Sequence, residues 1–202
     1  MSNAYAEIRR PAVLADLLPG RLVRDIALVV GSAALVGAAA QLAVTIPAIS
    51  PVPFTMQTFA ALAVGATLGF HRALLAMGLY AVAGVAGVPW FADATSGFAF
   101  PSFGYVLGMV AAAGLVGWLA GRGGDRSPVR AAGTMVLGNL VVYAIGFPYL
   151  MAVTGMGFAA ALAAGVLPFL VGDAVKIALA AGVLPSAWAL VGRFGGGADD
   201  RS

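Results

Sequence analysis

The chain of 202 residues has no cysteine and one histidine, and only 9% of its residues are charged. Without cysteine it can form neither disulfides nor cysteine-ligated metal sites, and a single histidine among scattered acids predicts no metal centre. A membrane serine protease would need a buried histidine as its base, whereas His71 stands beside Arg72 in a predicted cytoplasmic loop. We therefore expect a protein that is not an enzyme and that holds no cofactor.

Lysine is almost absent as well. The only lysine, Lys176, does not follow the glycine-rich sequence that a Walker A phosphate-binding loop requires. Any use of ATP would then take place in partner subunits. The net charge of +3 comes from basic residues that stand singly between apolar segments, so it does not indicate nucleic-acid binding.

What the chain does contain is apolar residues, which make up 61% of the total. A soluble domain has about a quarter of its residues charged, and it needs polar groups to cover its surface. Lipid is the solvent that fits this composition, and the 28 glycines allow helices to approach one another closely. Residues 1–25 are too polar and too mixed in charge for a convincing cleavable signal peptide. The composition predicts an integral membrane protein.

A membrane-spanning helix needs about 20 apolar residues, and about 17 suffice at the short end. Six segments match or approach that length, and a weaker segment over 154–165 predicts a short interfacial helix or an extension. The proline-rich stretch 47–53 cannot continue a helix. The prediction is an all-α bundle of six transmembrane helices, with a cytoplasmic segment 1–25, a substrate-binding membrane domain 26–192 and a cytoplasmic tail 193–202. The six segments are 26–46, 54–70, 73–88, 103–120, 131–151 and 167–191.

The positions of the basic residues provide a test of this division into six membrane spans. If the amino terminus is cytoplasmic, every basic residue outside the membrane falls on the cytoplasmic side, as the positive-inside rule requires. The pattern favours six spans with both termini cytoplasmic, in a bacterial cytoplasmic membrane. These residues are Arg9, Arg10, Arg21, Arg24, Arg72, Arg122, Arg126, Arg130, Arg193 and Arg201.

Pairs of small residues recur four positions apart, which places both members on one face of a helix. Ordinary packing inside the bundle explains most such pairs, and a lipid-facing subset would allow a partner subunit to dock. Ala34 and Ala38 on the first helix are the candidates for docking. The other pairs are Gly65/Gly69, Ala83/Gly87, Gly104/Gly108 and Gly117/Gly121.

Asp173 and Lys176 lie inside the last apolar segment, one to two turns below the outer surface. Their spacing of three residues puts both side chains on one helix face. A charge at the centre of a membrane span costs about 2.5–3.5 kcal/mol, and charged residues within spans usually face a cavity or a partner. One explanation is a structural ion pair. The other is an outward-facing pocket for a small molecule with amide-like and anionic parts, the anion held by the helix N-termini that begin at the outer face.

Several blocks of the chain, taken in order, resemble the BioY family over about residues 26–190. They are Val52-Pro53-Phe54-Thr55-Met56-Gln57-Thr58, the Gly-Ala-Thr-Leu-Gly run at 65–69, the block 80–92 with Gly97 and Pro101 after it, the Gly-Tyr-Val-Leu-Gly run at 104–108, and Pro-Phe-Leu-Val-Gly-Asp-Ala-Val-Lys at 168–176. In two positions the chain departs from the family pattern: Trp90 replaces a smaller apolar residue, and Asp93 stands where Asn or Gly is frequent.

The resemblance implies a six-helix, biotin-binding S component of an energy-coupling factor (ECF) transporter. Such proteins typically work with a transmembrane coupling (T) subunit and paired ATPases, and some are encoded without these partners. It also implies that Asp173 and Lys176 contact the ring system of biotin, and that segment 47–53 acts as a lid. A carboxylate and an ammonium suit a cyclic urea, which offers two N–H donors and a carbonyl acceptor.

Two further residues are predicted to contact the substrate. Tyr105 lies inside a predicted span, where its phenol needs a partner, and its alternative role is in the interfacial aromatic belt. Gln57 lies just inside the outer end of the second helix, where a polar helix cap is an equal alternative.

Two functions of the protein stay open. One is biotin uptake, through partner subunits or by the chain alone, with a homo-oligomer as a variant. The other is a membrane assembly or scaffold protein whose Asp173–Lys176 pair is purely structural.

Overall fold

The computed structural model describes residues 12–18, 20 and 22–195 of the chain. Short 3₁₀ turns at Leu14–Leu17, Ala92–Ala94 and Leu167–Phe169 accompany the regular elements. The fold is a helical bundle, as predicted. Its elements are α1 (Leu22–Gln41), β1 (Ala43–Val44), β2 (Phe54–Thr55), α2 (Gln57–Leu68), α3 (Phe70–Val85), α4 (Phe103–Ala120), α5 (Pro128–Thr154), α6 (Phe158–Gly165) and α7 (Leu170–Gly195).

The six predicted apolar segments correspond to α1, α2, α3, α4, α5 and α7, and the weaker segment corresponds to α6. Among the described residues, α1, α4, α5 and the stretch Phe158–Val191 are long and apolar enough to cross a membrane. The helices α2 and α3 are apolar but have only 12 and 16 residues. Because a 12-residue helix is about 18 Å long and the hydrocarbon core about 30 Å thick, the count of six crossings stays a prediction.

The helix α1 begins four residues earlier than predicted and ends five residues earlier. Its early start is possible because the charges there are neutralised: Arg24 Nε lies 2.8 Å from Asp25 Oδ1, and Arg72 Nε lies 3.0 Å from the same oxygen. Its early end follows from the strand β1, which pairs antiparallel with β2. Position 25, predicted to end a cytoplasmic segment, therefore lies within α1.

The helix α5 also begins earlier than predicted, at Pro128 rather than residue 131. The Ser127 hydroxyl accepts a hydrogen bond from the Arg130 backbone N–H at 3.4 Å, and proline is favoured at the first helical position because its missing N–H would have no helical partner. The sequence Ser127-Pro128 therefore marks the start of α5. The charged Arg130, which the prediction placed before this helix, lies in its first turn.

Glycines allow the central helix α4 to pack directly on the backbones of its neighbours. A Cβ on Gly65 of α2 would lie 2.6 Å from the Ala113 carbonyl oxygen, and one on Gly108 would lie 2.7 Å from the carbonyl oxygen of Val142 on α5. These distances are too short for any side chain. The small residues at 65 and 108 therefore serve packing within the bundle, as predicted for most of the small-residue pairs.

The described arginines lie at one end of the bundle: at the starts of α1, α3 and α5, in the connection between α4 and α5, and in the last turn of α7. Arg72 Nη1 reaches Asp16 Oδ1 at 2.8 Å, and Arg126 donates to the Ala12 carbonyl at 3.2 Å. The chain preceding α1 is thereby fastened to this arginine end. Of the other predicted cytoplasmic residues, Arg9, Arg10, Arg21 and Arg201 lie outside the described residues.

A buried carboxylate connects the arginine end to α7. Asp125, in the α4–α5 connection, is fully buried and accepts a hydrogen bond from Trp188 Nε1 at 2.6 Å. The Arg126 guanidinium lies 3.4 Å from the centre of the same indole ring. Burial raises the pKa of the Asp125 carboxyl above its usual value, against the hydrogen bond from Trp188 and the charge of Arg126, which lower it. This cluster fixes α7 against the connection.

Candidate ligand site

A cavity lies among α2, α4, α5 and α7 at the end of the bundle opposite the arginines. It contains about 600 Å³ of space between atoms, counting its open mouth. The helix α2 spans the distance between the two ends, because its first residue, Gln57, lines the cavity while Gly69, just after its last turn, contacts Val13 at the arginine end. Residues of the segments before α2 and before α4 cover the cavity.

Asp173 and Lys176 both line this cavity from the first two turns of α7. Lys176 Nζ lies 3.5 Å from Asp173 Oδ1, which confirms that the two side chains share a helix face. The Tyr143 hydroxyl, on α5, donates a hydrogen bond to Asp173 Oδ2, and Lys176 Nζ donates to Thr58 Oγ1 on α2 at 2.8 Å. Three helices therefore hold the charged pair in place, and both side chains still border the cavity.

Tyr105 also lines the cavity, and its side chain is buried, so it does not face lipid headgroups as an aromatic belt would. Its hydroxyl donates to the Gly165 carbonyl at 2.8 Å, and its ring lies against Gly146, where no larger side chain would fit. The hydroxyl already has a partner in α6. Tyr105 therefore presents its ring, rather than its phenol oxygen, to the cavity.

Gln57 lines the cavity from the first residue of α2, and only 4% of it is exposed. The Thr55 hydroxyl accepts a hydrogen bond from the Gln57 backbone N–H at 3.2 Å at the start of α2, so the alternative role of the Gln57 side chain as a helix cap is not observed. Among the described residues, its Nε2 has no hydrogen-bond partner. A buried amide donor without a partner costs free energy, and a ligand in the cavity would offer an acceptor.

Aromatic side chains form much of the apolar cavity wall. Phe169, just before α7, stacks on Phe54 of β2 with ring centroids 4.5 Å apart. Phe91 and Phe100 line the cavity from the segment between α3 and α4, with their ring centroids 5.6 Å apart. The cavity therefore has a polar floor around Asp173 and an apolar cover.

The cover consists of two segments that are bonded to each other. Thr45 Oγ1, after β1, donates to Asp93 Oδ2 at 2.7 Å, and Gln41 Nε2 donates to the Trp90 carbonyl at 2.9 Å. Asp93 is exposed and has a φ of 56°, in the left-handed region that Gly and Asn adopt most readily. The Asn or Gly that the resemblance implies at this position would adopt such a backbone conformation more readily than Asp. Trp90 fits because it packs on Gly37, whose missing side chain leaves room for the indole.

Tyr143, Thr58 and Asn139 also belong to the polar lining, and none of them was predicted from the sequence as a site residue. A signal was present for two of them, because Asn139 and Tyr143 stand four residues apart and therefore on one face of an otherwise apolar helix. The sequence does not show which face of α5 is turned toward α7. The opposing partners of Asp173 could therefore not be assigned.

The fold defines a multi-pass membrane protein with a partly polar cavity at one end of its helix bundle. The model of the BioY family matches residues 8–193. The chain therefore belongs to the BioY family.

Among its relatives, the probable biotin transporter BioY of Pyrococcus horikoshii is 36% identical over 156 residues, which are 76% of this chain and 89% of the relative. The biotin transporter BioY of Thermotoga maritima is 30% identical over 66% of this chain and 79% of its own length. A solved structure, the S-component for biotin from an ECF-type ABC transporter, superposes with a TM-score of 0.73 at 20% identity. It covers 83% of this chain and 92% of that one. The likeness establishes the bundle fold.

Proposed function

We propose that this chain captures biotin on the outer side of the cytoplasmic membrane and serves as the membrane-embedded binding subunit of an ECF-type transporter. The observation that carries the proposal is the position of Asp173 and Lys176, side by side on the floor of a cavity that lies at the end opposite the arginines. A carboxylate accepts an N–H and an ammonium donates to a carbonyl, as a cyclic urea requires. The names of the relatives support the same ligand.

In this proposal the arginine end faces the cytoplasm, as the positive-inside rule requires, and the six apolar segments cross the membrane with both termini inside. The membrane domain 26–192 holds the ligand. Asp173, Lys176 and Gln57 make polar contacts with it, and Tyr105 packs against its rings. The segment 47–53 then lies in the lid over the cavity.

A titration of the purified protein with labelled biotin tests the proposal. We expect saturable binding that unlabelled biotin displaces and that thiamine and riboflavin do not displace, because neither competitor carries a cyclic urea beside a flexible carboxylate. Absence of saturable binding by a folded, monodisperse protein would contradict biotin capture. It would favour the scaffold alternative, to which one observation corresponds: Tyr143 and Thr58 already satisfy the charged pair without a ligand.

The second part of the proposal concerns partners. Ala34 and Ala38 are both exposed on α1 in the described part of the chain. Two small residues four positions apart allow another helix to approach closely. We assign this face to the T subunit, which would connect the chain to ATPase subunits. A chain that transports biotin alone, or as a homo-oligomer, is the alternative.

Ala34→Trp and Ala38→Trp test the docking face. We expect each variant to bind biotin normally but to co-purify with the T and ATPase subunits at least about tenfold less, because a bulky side chain keeps the partner helix away. Ala144→Trp, at an exposed alanine on α5, is the matched control and should leave complex formation unchanged. Normal complex formation by both α1 variants would show that the partner binds elsewhere.

A further inference from the structure

The polar floor of the cavity has two layers, set by the antiparallel packing of α5 against α7. Tyr143 of α5 bonds to Asp173 of α7 and forms the outer layer. One turn further into the bundle, four residues back on α5 and three residues on along α7, stand Asn139 and Lys176. Both line the cavity, so they form an inner layer at the same depth.

Beyond this inner layer the surroundings become apolar. A second, smaller space shares Thr58, Asn139 and Lys176 with the main cavity, and its remaining lining residues are Phe59, Leu62, Met135 and Ile177. None of these four side chains can hydrogen-bond a urea. The polar end of a ligand therefore stops at the layer formed by Asn139 and Lys176.

Asn139 stands in this layer without a partner. Only 8% of it is exposed, and its side-chain amide makes no hydrogen bond to any other described residue. Its neighbours in the layer are occupied, since Lys176 bonds to Thr58 and pairs with Asp173. A buried primary amide has two donors and an acceptor to satisfy, and leaving them unpaired is unfavourable.

The two N–H bonds of a cyclic urea point away from each other on either side of its carbonyl, so one carboxylate cannot accept both. The urea has two N–H donors and a carbonyl acceptor, whereas Asp173 has one oxygen occupied by Tyr143 and the other beside Lys176. Asp173 therefore accepts one N–H, Lys176 donates to the carbonyl, and the second N–H needs another acceptor. The Asn139 amide oxygen is an unoccupied acceptor at the same depth.

We propose that Asn139 accepts the second urea N–H, and thereby makes the site selective for a ring with two unsubstituted nitrogens. This proposal rests on the proposed biotin-binding function and extends it, because it divides the two ring nitrogens between two residues on different helices. Asp173 binds one nitrogen from α7, and Asn139 binds the other from α5. Substitution at either nitrogen then disrupts a different contact.

The test is a binding cycle between protein variants and biotin analogues methylated separately on each ureido nitrogen. In the unaltered protein we expect each methylation to weaken binding, since each removes a donor. Asn139→Leu should weaken biotin binding about tenfold. In that variant the penalty for methylation should largely disappear for one isomer and persist for the other, because only one N–H loses its acceptor.

A second pair of variants distinguishes the loss of this hydrogen bond from misfolding as the cause of weaker binding. Asn139→Asp retains an acceptor oxygen and should retain both methylation penalties, whereas Asn139→Ala should behave like Asn139→Leu. A merely structural asparagine would weaken the binding of biotin and of both analogues equally, and that result would overturn the assignment while leaving biotin capture intact. If the unaltered protein fails to bind biotin, the proposed function is wrong, and this assignment is wrong with it.

Discussion

Asp173→Asn is expected to lower the affinity of the purified protein for biotin by about 100-fold, a loss of about 2.7 kcal/mol. Asp173 Oδ1, the oxygen not bonded to Tyr143, would accept an N–H of the urea, and charge-assisted hydrogen bonds contribute about 1.5–3 kcal/mol. Lys176→Met should have an effect of similar size because the ligand carbonyl loses its ammonium donor. Equilibrium binding of labelled biotin measures both effects, with size-exclusion profiles to establish that each variant is folded.

Asp93→Asn is the matched control for Asp173→Asn. It makes the same chemical change at an exposed carboxylate that covers the site without lining it, so biotin affinity should stay within about threefold of the original. Normal biotin binding by both Asp173→Asn and Lys176→Met would show that the ligand site is elsewhere.

The double variant Asp173→Asn/Lys176→Met separates the two explanations of the charged pair. Removing one buried charge leaves the other without its counter-charge, which typically costs about 3–5 kcal/mol of stability, whereas removing both is often close to neutral. We therefore expect the double variant to recover thermal stability without recovering biotin binding. Recovery of both would mean that the pair is structural only.

Gly108→Ala is expected to destabilise the bundle severely, by about 3 kcal/mol or more. Its new Cβ would lie 2.7 Å from the Val142 carbonyl oxygen, so α4 and α5 must separate, and overpacking alone costs about 1–3 kcal/mol. Because α4 and α5 both line the cavity, biotin binding should fall as well. Thermal unfolding of the purified variant in detergent measures the loss.

Gly31→Ala is the control for Gly108→Ala because the same methyl group is added to another transmembrane helix. No atom lies within 4 Å of its new Cβ, and alanine has the higher helix propensity. We expect unchanged or slightly increased stability. Equal losses in the two variants would mean that the close contact between α4 and α5 does not support the fold.

The helices could be predicted because spanning segments are apolar throughout, and this signal does not depend on how the helices pack. Boundaries were less accurate wherever a local interaction decided them. The charges of Arg24 and Asp25 predict the end of a polar segment, yet their ion pair lets α1 begin before them. The strand β1 pairs with β2 only because the chain folds back on itself after β1. A strand of two residues is too short to show an alternating pattern of apolar and polar residues in the sequence.

The four predicted site residues, Asp173, Lys176, Gln57 and Tyr105, all line one cavity. They could be selected because a charged or polar side chain in an apolar segment is conspicuous and because the block around Asp173 resembles a known family. The role of Tyr105 was harder to predict from the sequence. Its hydroxyl bonds to the Gly165 carbonyl, a contact across 60 positions of sequence that no local pattern encodes.

The shortness of α2 has a consequence for the path of a transported molecule. Its 12 residues extend about 18 Å from Gln57 at the cavity to the turn beside the arginines, whereas the hydrocarbon core is about 30 Å thick. In the proposed orientation, a molecule beside Gln57 would therefore lie about 18 Å from the cytoplasmic end of the bundle. The path still ahead of it would be no longer than a single short helix.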